Sequence, residues 1–219
     1  MRSVIFDLDG TLADTSGDLL AAANAVFSDL GLGALLGPDD AGTALRGGKA
    51  MLTLGFGRVD GFGPDDVAAN YQRLLTRYED RICDETTLYP GAVEALERLR
   101  AGGYRTGICT NKPERLSELL MERLGARHLF DSLIGADTLS VRKPEAEPLR
   151  EAVRRAGGDP TRCCLVGDTD TDRLTARAAR VPSILVTFGP SGAAMSALEP
   201  EALLASYDDL YDAVEALRL

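Results

Sequence analysis

At 219 residues, 45% apolar and with 24 Lys and Arg against 34 Asp and Glu, the chain can bury one large core, alone or beside a small accessory domain. The net charge of −10 argues against a nucleic-acid partner, because no basic footprint can be assembled for a phosphate backbone. No apolar run approaches the ~20 residues of a membrane span and no signal-peptide pattern is visible, so a cytoplasmic protein with no membrane partner is expected.

The first element is Val4-Ile5-Phe6, three consecutive apolar residues that predict a strand buried on both faces of a parallel sheet. It runs straight into Asp7-Leu8-Asp9-Gly10-Thr11. Side chains alternate faces along a strand, so Asp7 and Asp9 are expected to project the same way. Two carboxylates ~4 Å apart at an effective dielectric near 20 repel by about 4 kcal/mol, so the pair asks for a cation, a shared proton, or both. A wet edge strand carries alternating Asp without consequence, but the unbroken apolar run before this pair favours a site with metal-assisted chemistry.

Residues 16–84 show helical periodicity with no strand between, at Leu19-Ala23-Val26-Phe27-Leu30 and Val67-Tyr71-Leu74-Leu75-Tyr78, and predict an all-helical insertion. Gly-rich stretches at 31–37 and 55–63 are read as its internal connections. Gly47-Gly48-Lys49 is not a P-loop, since Ala50 replaces the required Ser or Thr and Thr43 stands where the first Gly belongs.

From Leu88 onward strands and helices alternate, as in an α/β parallel sheet: strands at 105–110, 132–136, 163–166 and 183–188, helices at 114–124, 147–156 and 172–179, and a last helix with Leu210, Val214 and Leu217 on one face. Pro113 and Pro148 mark helix starts, Gly102, Gly125 and Gly157 helix ends, and Ser206 with Asp209 resembles a capping box. The domains expected are thus a core at 1–15 and 85–219 and a helical cap at 16–84. Cys109, Cys163 and Cys164 fall in strand-like runs without a C-x-x-C spacing, so reduced core thiols are expected; His128, the only histidine, reads as a surface residue.

In an open α/β sheet, ligands bind beyond the carboxyl ends of the strands, so the residues following each apolar run belong together. They are Asp7 and Asp9, Thr110-Asn111, Lys143-Pro144, and Asp168 with Asp172. Each has a bland reading: Thr110-Asn111 can cap the helix begun by Pro113, a loop lysine is usually solvated, and acids favour a helix entrance. Beside a phosphate, Thr110 and Asn111 become donors and Lys143 neutralises the anion, while a magnesium ion gives Asp168 and Asp172 a shared use.

Four strings carry a family resemblance over essentially the whole chain: Asp7-Leu8-Asp9-Gly10-Thr11-Leu12, Thr110-Asn111-Lys112-Pro113, Lys143-Pro144, and Gly167-Asp168-Thr169-Asp170-Thr171-Asp172. In this order and spacing they resemble the haloacid dehalogenase superfamily, in its phosphoglycolate-phosphatase-like group. The resemblance implies a Rossmann-like three-layer core with strand order 5-4-1-2-3 and an inserted helical cap. It also implies that Asp7 is the nucleophile, forming an aspartyl-phosphate, and a magnesium ligand. Asp9 would be the general acid and base, with its carbonyl on the metal. Thr110 and Lys143 would hold the phosphoryl group, Asp168 would ligate the metal, and Asp172 would support it directly or through water. One departure is Arg180, where many relatives have glycine after the paired alanines that end the fourth-motif helix.

Dehalogenases of the superfamily work without the second aspartate, so Asp9 favours phosphate esters, and a small anionic ester, 2-phosphoglycolate, is the expected substrate. A phosphohexose mutase and, outside enzymes, a phospho-receiver module remain as alternatives, as does either a monomer or a homodimer. The substrate's carboxylate is expected to be read by Arg46 and Lys49 in a Gly-rich stretch of the cap, and Lys112 is expected to point to solvent.

Overall fold

The computed structural model describes residues 1–192 and 194–219. In chain order its elements are β1 (Ser3–Phe6), β2 (Ala13–Asp14), α1 (Ser16–Asp29), α2 (Ala41–Ala44), α3 (Gly48–Phe56), α4 (Pro64–Glu79), β3 (Thr87–Leu88), α5 (Ala92–Ala101), β4 (Arg105–Cys109), α6 (Glu114–Arg123), β5 (Ser132–Ile134), α7 (Ala146–Arg155), β6 (Cys163–Gly167), α8 (Asp170–Ala179), β7 (Ser183–Val186), β8 (Ala202–Leu204) and α9 (Leu210–Ala216). They fall into two units, Met1–Asp14 with Leu88–Leu219, and Thr15–Thr87.

The first unit is built on a parallel sheet in the order β5-β4-β1-β6-β7-β8. Val4, Ile5 and Phe6 are all fully buried, which requires both faces of the central strand to be covered. On one face Ile5, Cys109, Ile134 and Leu165 pack with Leu149 and Val153 of α7 and Ala176 of α8. On the other, the Phe6 ring meets Phe130 edge to face at 6.1 Å. The cysteines are free thiols; Cys109, Cys163 and Cys164 are buried, and His128 is exposed at the surface. Among the described residues no helix is long and apolar enough to cross a membrane.

The register positions the chemistry. Phe6 lies opposite Ile108 on one neighbour and Val166 on the other, so β1, β4 and β6 end level with one another. The chain order along the sheet reverses between β1 and β6, and at that crevice Asp7 and Asp168 leave their strands. Beyond Phe6 the backbone coils tightly: the Leu8 carbonyl accepts from the amides of Thr11, Leu12 and Ala13, with Gly10 at φ 81°, a conformation that favours glycine.

The expected strand order holds for five strands, and β8 extends it by a sixth at the edge. The sequence hides β8 because it is three residues long and Leu203 within it faces solvent. A polar cluster fastens this edge: Glu201 Oε2 accepts from the Ser183 amide at 2.8 Å and from Arg173 Nη1 at 2.6 Å. The expected Ser206–Asp209 capping box is replaced by a shorter turn, in which Ser206 Oγ accepts from the Asp208 amide and Asp209 stands at the N-cap of α9.

The second unit is helical, as its periodicity indicates, with α1 and α4 its long members. It also contains α3, which periodicity does not reveal because glycines stand at both its ends and within it. Phe56 of α3 meets Phe27 of α1 at 5.2 Å and stacks on Phe62 at 4.9 Å. The fully buried Asp18 ties the two ends of the unit together, accepting from the amides of Glu85 and Thr86 at 3.0 Å each and from the Thr86 hydroxyl at 2.7 Å.

Arg180 follows α8 in the left-handed region, at φ 62° and ψ 42°, and is exposed. The turn therefore keeps the conformation a glycine would give it, at the steric cost of a Cβ. Arg180→Gly is expected to stabilise the protein by about 1 kcal/mol, measured as a higher denaturant midpoint at unchanged slope.

Candidate active site

Asp7 and Asp9 lie just past the end of β1, and each meets its own lysine. Asp7 Oδ1 is 3.0 Å from Lys143 Nζ. Asp9 accepts from Lys112 Nζ through both carboxylate oxygens, at 2.8 and 3.1 Å. Lys112 is buried, so the expectation that it points to solvent is corrected. Its backbone explains the inward turn: the Lys112 amide donates to Thr110 Oγ1 at 3.2 Å and its carbonyl accepts from the Ala136 amide at 2.9 Å, which fixes the direction in which the side chain leaves.

The third and fourth strings converge on Asp7. Lys143 Nζ donates to Asp172 Oδ1 at 2.6 Å. Asp172 Oδ2 in turn accepts from the amides of Asp168 and Thr169 at 3.2 and 3.1 Å and from the Thr169 hydroxyl at 2.6 Å. Asp172 sits this close because residue 167 is glycine: a Cβ there would stand 2.4 Å from the Cβ of Asp172. Asp168 is held by the Thr11 hydroxyl, 2.8 Å from its Oδ1. Thr110 is buried at the end of β4, its hydroxyl accepting from the Lys112 amide, and it is not the cap of α6, whose N-cap is Pro113 with no side-chain hydrogen bond. The side-chain amide of Asn111 donates to the Lys143 carbonyl at 3.1 Å, so its donor anchors the Lys143 loop.

Asp7, Asp168 and Asp172 each offer a ligand atom within 4.8 Å of the others, and all three residues are buried. Three carboxylates against the ammonium of Lys143 leave an excess of negative charge out of water. Burial pushes Asp7 up to about 6, a rise that Lys143 opposes and Asp172 and Asp9 reinforce. Asp168 is also raised well above the usual carboxylate range, by burial and then by Asp7 and Asp172. Burial presses Lys143 down, but Asp172 and Asp7 outweigh it and hold the ammonium above its ordinary value. Asp7 Oδ1 has no hydrogen-bond partner among the described residues, its contact with Lys143 being one of charge without the directional geometry of a hydrogen bond. Hard oxygen donors, surplus negative charge and an unpartnered oxygen fit a divalent cation, with Asp7 and Asp168 better placed as ligands than Asp172, whose oxygens are already engaged.

Arg46 and Lys49 belong to the helical unit, and both are exposed. Lys49 is on the first turn of α3 and not in a glycine loop, with its Nζ 5.4 Å from the centre of the Tyr71 ring; Arg46 lies between α2 and α3. Lys112 is the group that sequence reasoning misplaces. Composition holds a signal: lysine occurs only at 49, 112 and 143, all other basic positions except His128 being arginine.

The model of the haloacid dehalogenase-like hydrolases matches residues 4–186, and the chain belongs to this family. Among its curated relatives, phosphoglycolate phosphatases from Agrobacterium fabrum and Xanthomonas campestris are 36% and 39% identical, covering 96% and 86% of this chain and 91% and 84% of their own. A phosphoglycolate phosphatase from Cereibacter sphaeroides is 34% identical over 99% of both chains. The fold matches a solved structure from Haemophilus somnus, described as a predicted phosphoglycolate phosphatase, with a TM-score of 0.85 at 24% identity over 97% of each chain. The protein is a phosphoric monoester hydrolase of that family.

A cation held by Asp7 would compete with protons there, so magnesium is expected to raise the melting temperature more at pH 7.5 than at pH 5. A folded-state value above the unfolded one means that the metal-free protein loses stability from this group as pH rises from about 4 to about 6. Thermal scans at both pH values, with and without magnesium, check this; Asp168→Asn is expected to remove most of the magnesium-dependent shift.

Proposed function

We propose that the protein is a magnesium-dependent phosphatase of small anionic esters, with 2-phosphoglycolate as its substrate, acting through a phosphorylated Asp7. The observation that carries the reading is the buried set in which Lys143 lies against Asp7 and Asp172, with Asp168 beside them. The names of the full-length relatives support the choice of ester.

In this reading Lys143 and the Thr110 hydroxyl hold the phosphoryl oxygens while a carboxylate oxygen of Asp7 attacks phosphorus. The bond to the ester oxygen breaks as the bond to Asp7 forms, and Asp9 gives its proton to the departing alkoxide. Asp9 then takes a proton from the water that attacks phosphorus in the second step, and phosphate leaves with Asp7 restored. A magnesium ion held by Asp7, Asp168 and the Asp9 carbonyl would supply positive charge where the phosphoryl group's negative charge gathers. Asp172 keeps Lys143 in place and supports the metal site from outside the ligand set. Most of the catalysis is positioning and charge neutralisation, which suits a rigid site at the ends of three level strands.

Arg46 and Lys49 are basic residues of the helical unit, the cap in this reading, and their positive charge favours an anionic ester. The four free thiols accord with a cytoplasmic setting.

Phosphate release from 2-phosphoglycolate tests the reading. Asp7→Asn is expected to show no turnover, and excess chelator is expected to stop the wild type; turnover that persists in chelator refutes the metal. Asp9→Asn is expected to lose roughly 10²–10⁴-fold in kcat. Arg46→Ala or Lys49→Ala is expected to lower kcat/KM for 2-phosphoglycolate more than for an uncharged aryl phosphate.

A further inference from the structure

The groups placed on phosphoryl transfer leave one buried lysine of the core without a role. Lys112 and Lys143 divide the Asp7-Leu8-Asp9 turn between them: Lys143 takes the first aspartate and Lys112 takes the second. In a chain with 24 Lys and Arg residues, lysine stands at only three positions, and two of them are these buried ones. A compact ammonium on a flexible stem suits a place where a small anion must be met, and re-met, at short range.

We propose that Lys112 binds the carboxylate of the substrate, and that in doing so it exchanges Asp9 for that carboxylate and leaves Asp9 to the ester oxygen. The proposal rests on the phosphoglycolate reading above and names the core residue that selects that ester. Lys112 already binds a carboxylate, with both Asp9 oxygens within 3.1 Å of its Nζ. In 2-phosphoglycolate the carboxyl carbon is two covalent bonds from the ester oxygen, ~2.4 Å away. An acid-base group addressing that ester oxygen therefore has the substrate's own carboxylate directly beside it. A cation one hydrogen bond from Asp9 lies within reach of that carboxylate. The platform is rigid, since the backbone of Lys112 is bonded through both its amide and its carbonyl, so the exchange needs only side-chain torsions. No proton or bond changes in this step; one ion pair replaces another. An ester lacking the carboxylate offers nothing for Lys112 to take, and Asp9 stays engaged.

The competing account is that Lys112 is solely a positioning residue for Asp9, in which case its loss weakens hydrolysis of every ester alike. The experiment compares kcat/KM for 2-phosphoglycolate and for ethyl phosphate, which carries a methyl group in place of the carboxylate, in wild type, Lys112→Met and Lys112→Gln. The expected result is a fall of roughly 10–100-fold in the ratio of the two substrates, with ethyl phosphate affected much less. An equal loss on both substrates overturns the proposal. A wild type that hydrolyses ethyl phosphate with magnesium but shows no preference for 2-phosphoglycolate overturns the substrate reading as well. A preference undiminished in Lys112→Met overturns the role of Lys112 alone. Should neither variant fold, a crystal structure of the wild type with magnesium and 3-phosphonopropionate, the methylene analogue of the substrate, decides. A carboxylate within about 3.5 Å of Lys112 Nζ supports the proposal, and one held elsewhere overturns it.

Discussion

The ammonium of Lys143, buried against Asp7 and Asp172, is the interaction on which the rest of the site depends. Removing a lysine and several carboxylates from water is costly, and the cost is recovered only where geometry is good and the remaining lone pairs find donors. Asp172 meets that condition, with a lysine on one oxygen and three donors on the other. Asp7 does not, and Asp168 takes the Thr11 hydroxyl on one oxygen. The imbalance gives the three acids different roles, the satisfied one serving as structural support while the less satisfied ones stay available to a ligand. It also accords with the reluctance of Asp7 and Asp168 to ionise in the metal-free protein, burial being the largest cause for both.

Much of this is legible in the residues. Uninterrupted apolar runs mark β1, β6 and β7 because a strand covered on both faces has no polar positions to alternate with, and polar residues placed directly after such runs mark the working edge of the sheet. What escapes is set by tertiary context. β8 is an edge strand held by the Arg173–Glu201–Ser183 cluster, and neither its length nor its pattern announces it. α3 forms despite the glycines in and around it because Phe56 and Met51 have a core to enter. The solvent position expected of Lys112 follows the general habit of lysines at helix entrances, whereas its direction is fixed by backbone bonds to Thr110 and Ala136, on either side of α6 in the chain. Strand alternation also oversimplifies Asp7 and Asp9, since β1 ends at Phe6 and the two acids sit on a coil that presents each to a different lysine.

The paired lysines give the site an internal division. One side, around Lys143, is closed by Asp172, Thr169 and the start of α8, and its partners are committed. The other, around Lys112 and Asp9, is an ion pair at the entrance of α6, with Asp9 only partly buried. A site that must treat every phosphate alike while distinguishing what the phosphate is attached to is well served by this arrangement: fixed charge where the chemistry is common, exchangeable charge where the substrates differ.

Asp18 has a bearing on how such a chain assembles. A long insertion between β1 and the rest of its sheet is, for the core, a loop whose ends must be brought together before β1 can pair with β4 and β6. The entropy of closing a flexible loop grows with its length. Here the inserted unit closes itself, because one buried carboxylate near its start takes three donors from Glu85 and Thr86 near its finish. Once the helices have formed, the core sees a short, preformed bridge instead of a long tether, and the contact order that the sequence separation suggests overstates the search its sheet must make.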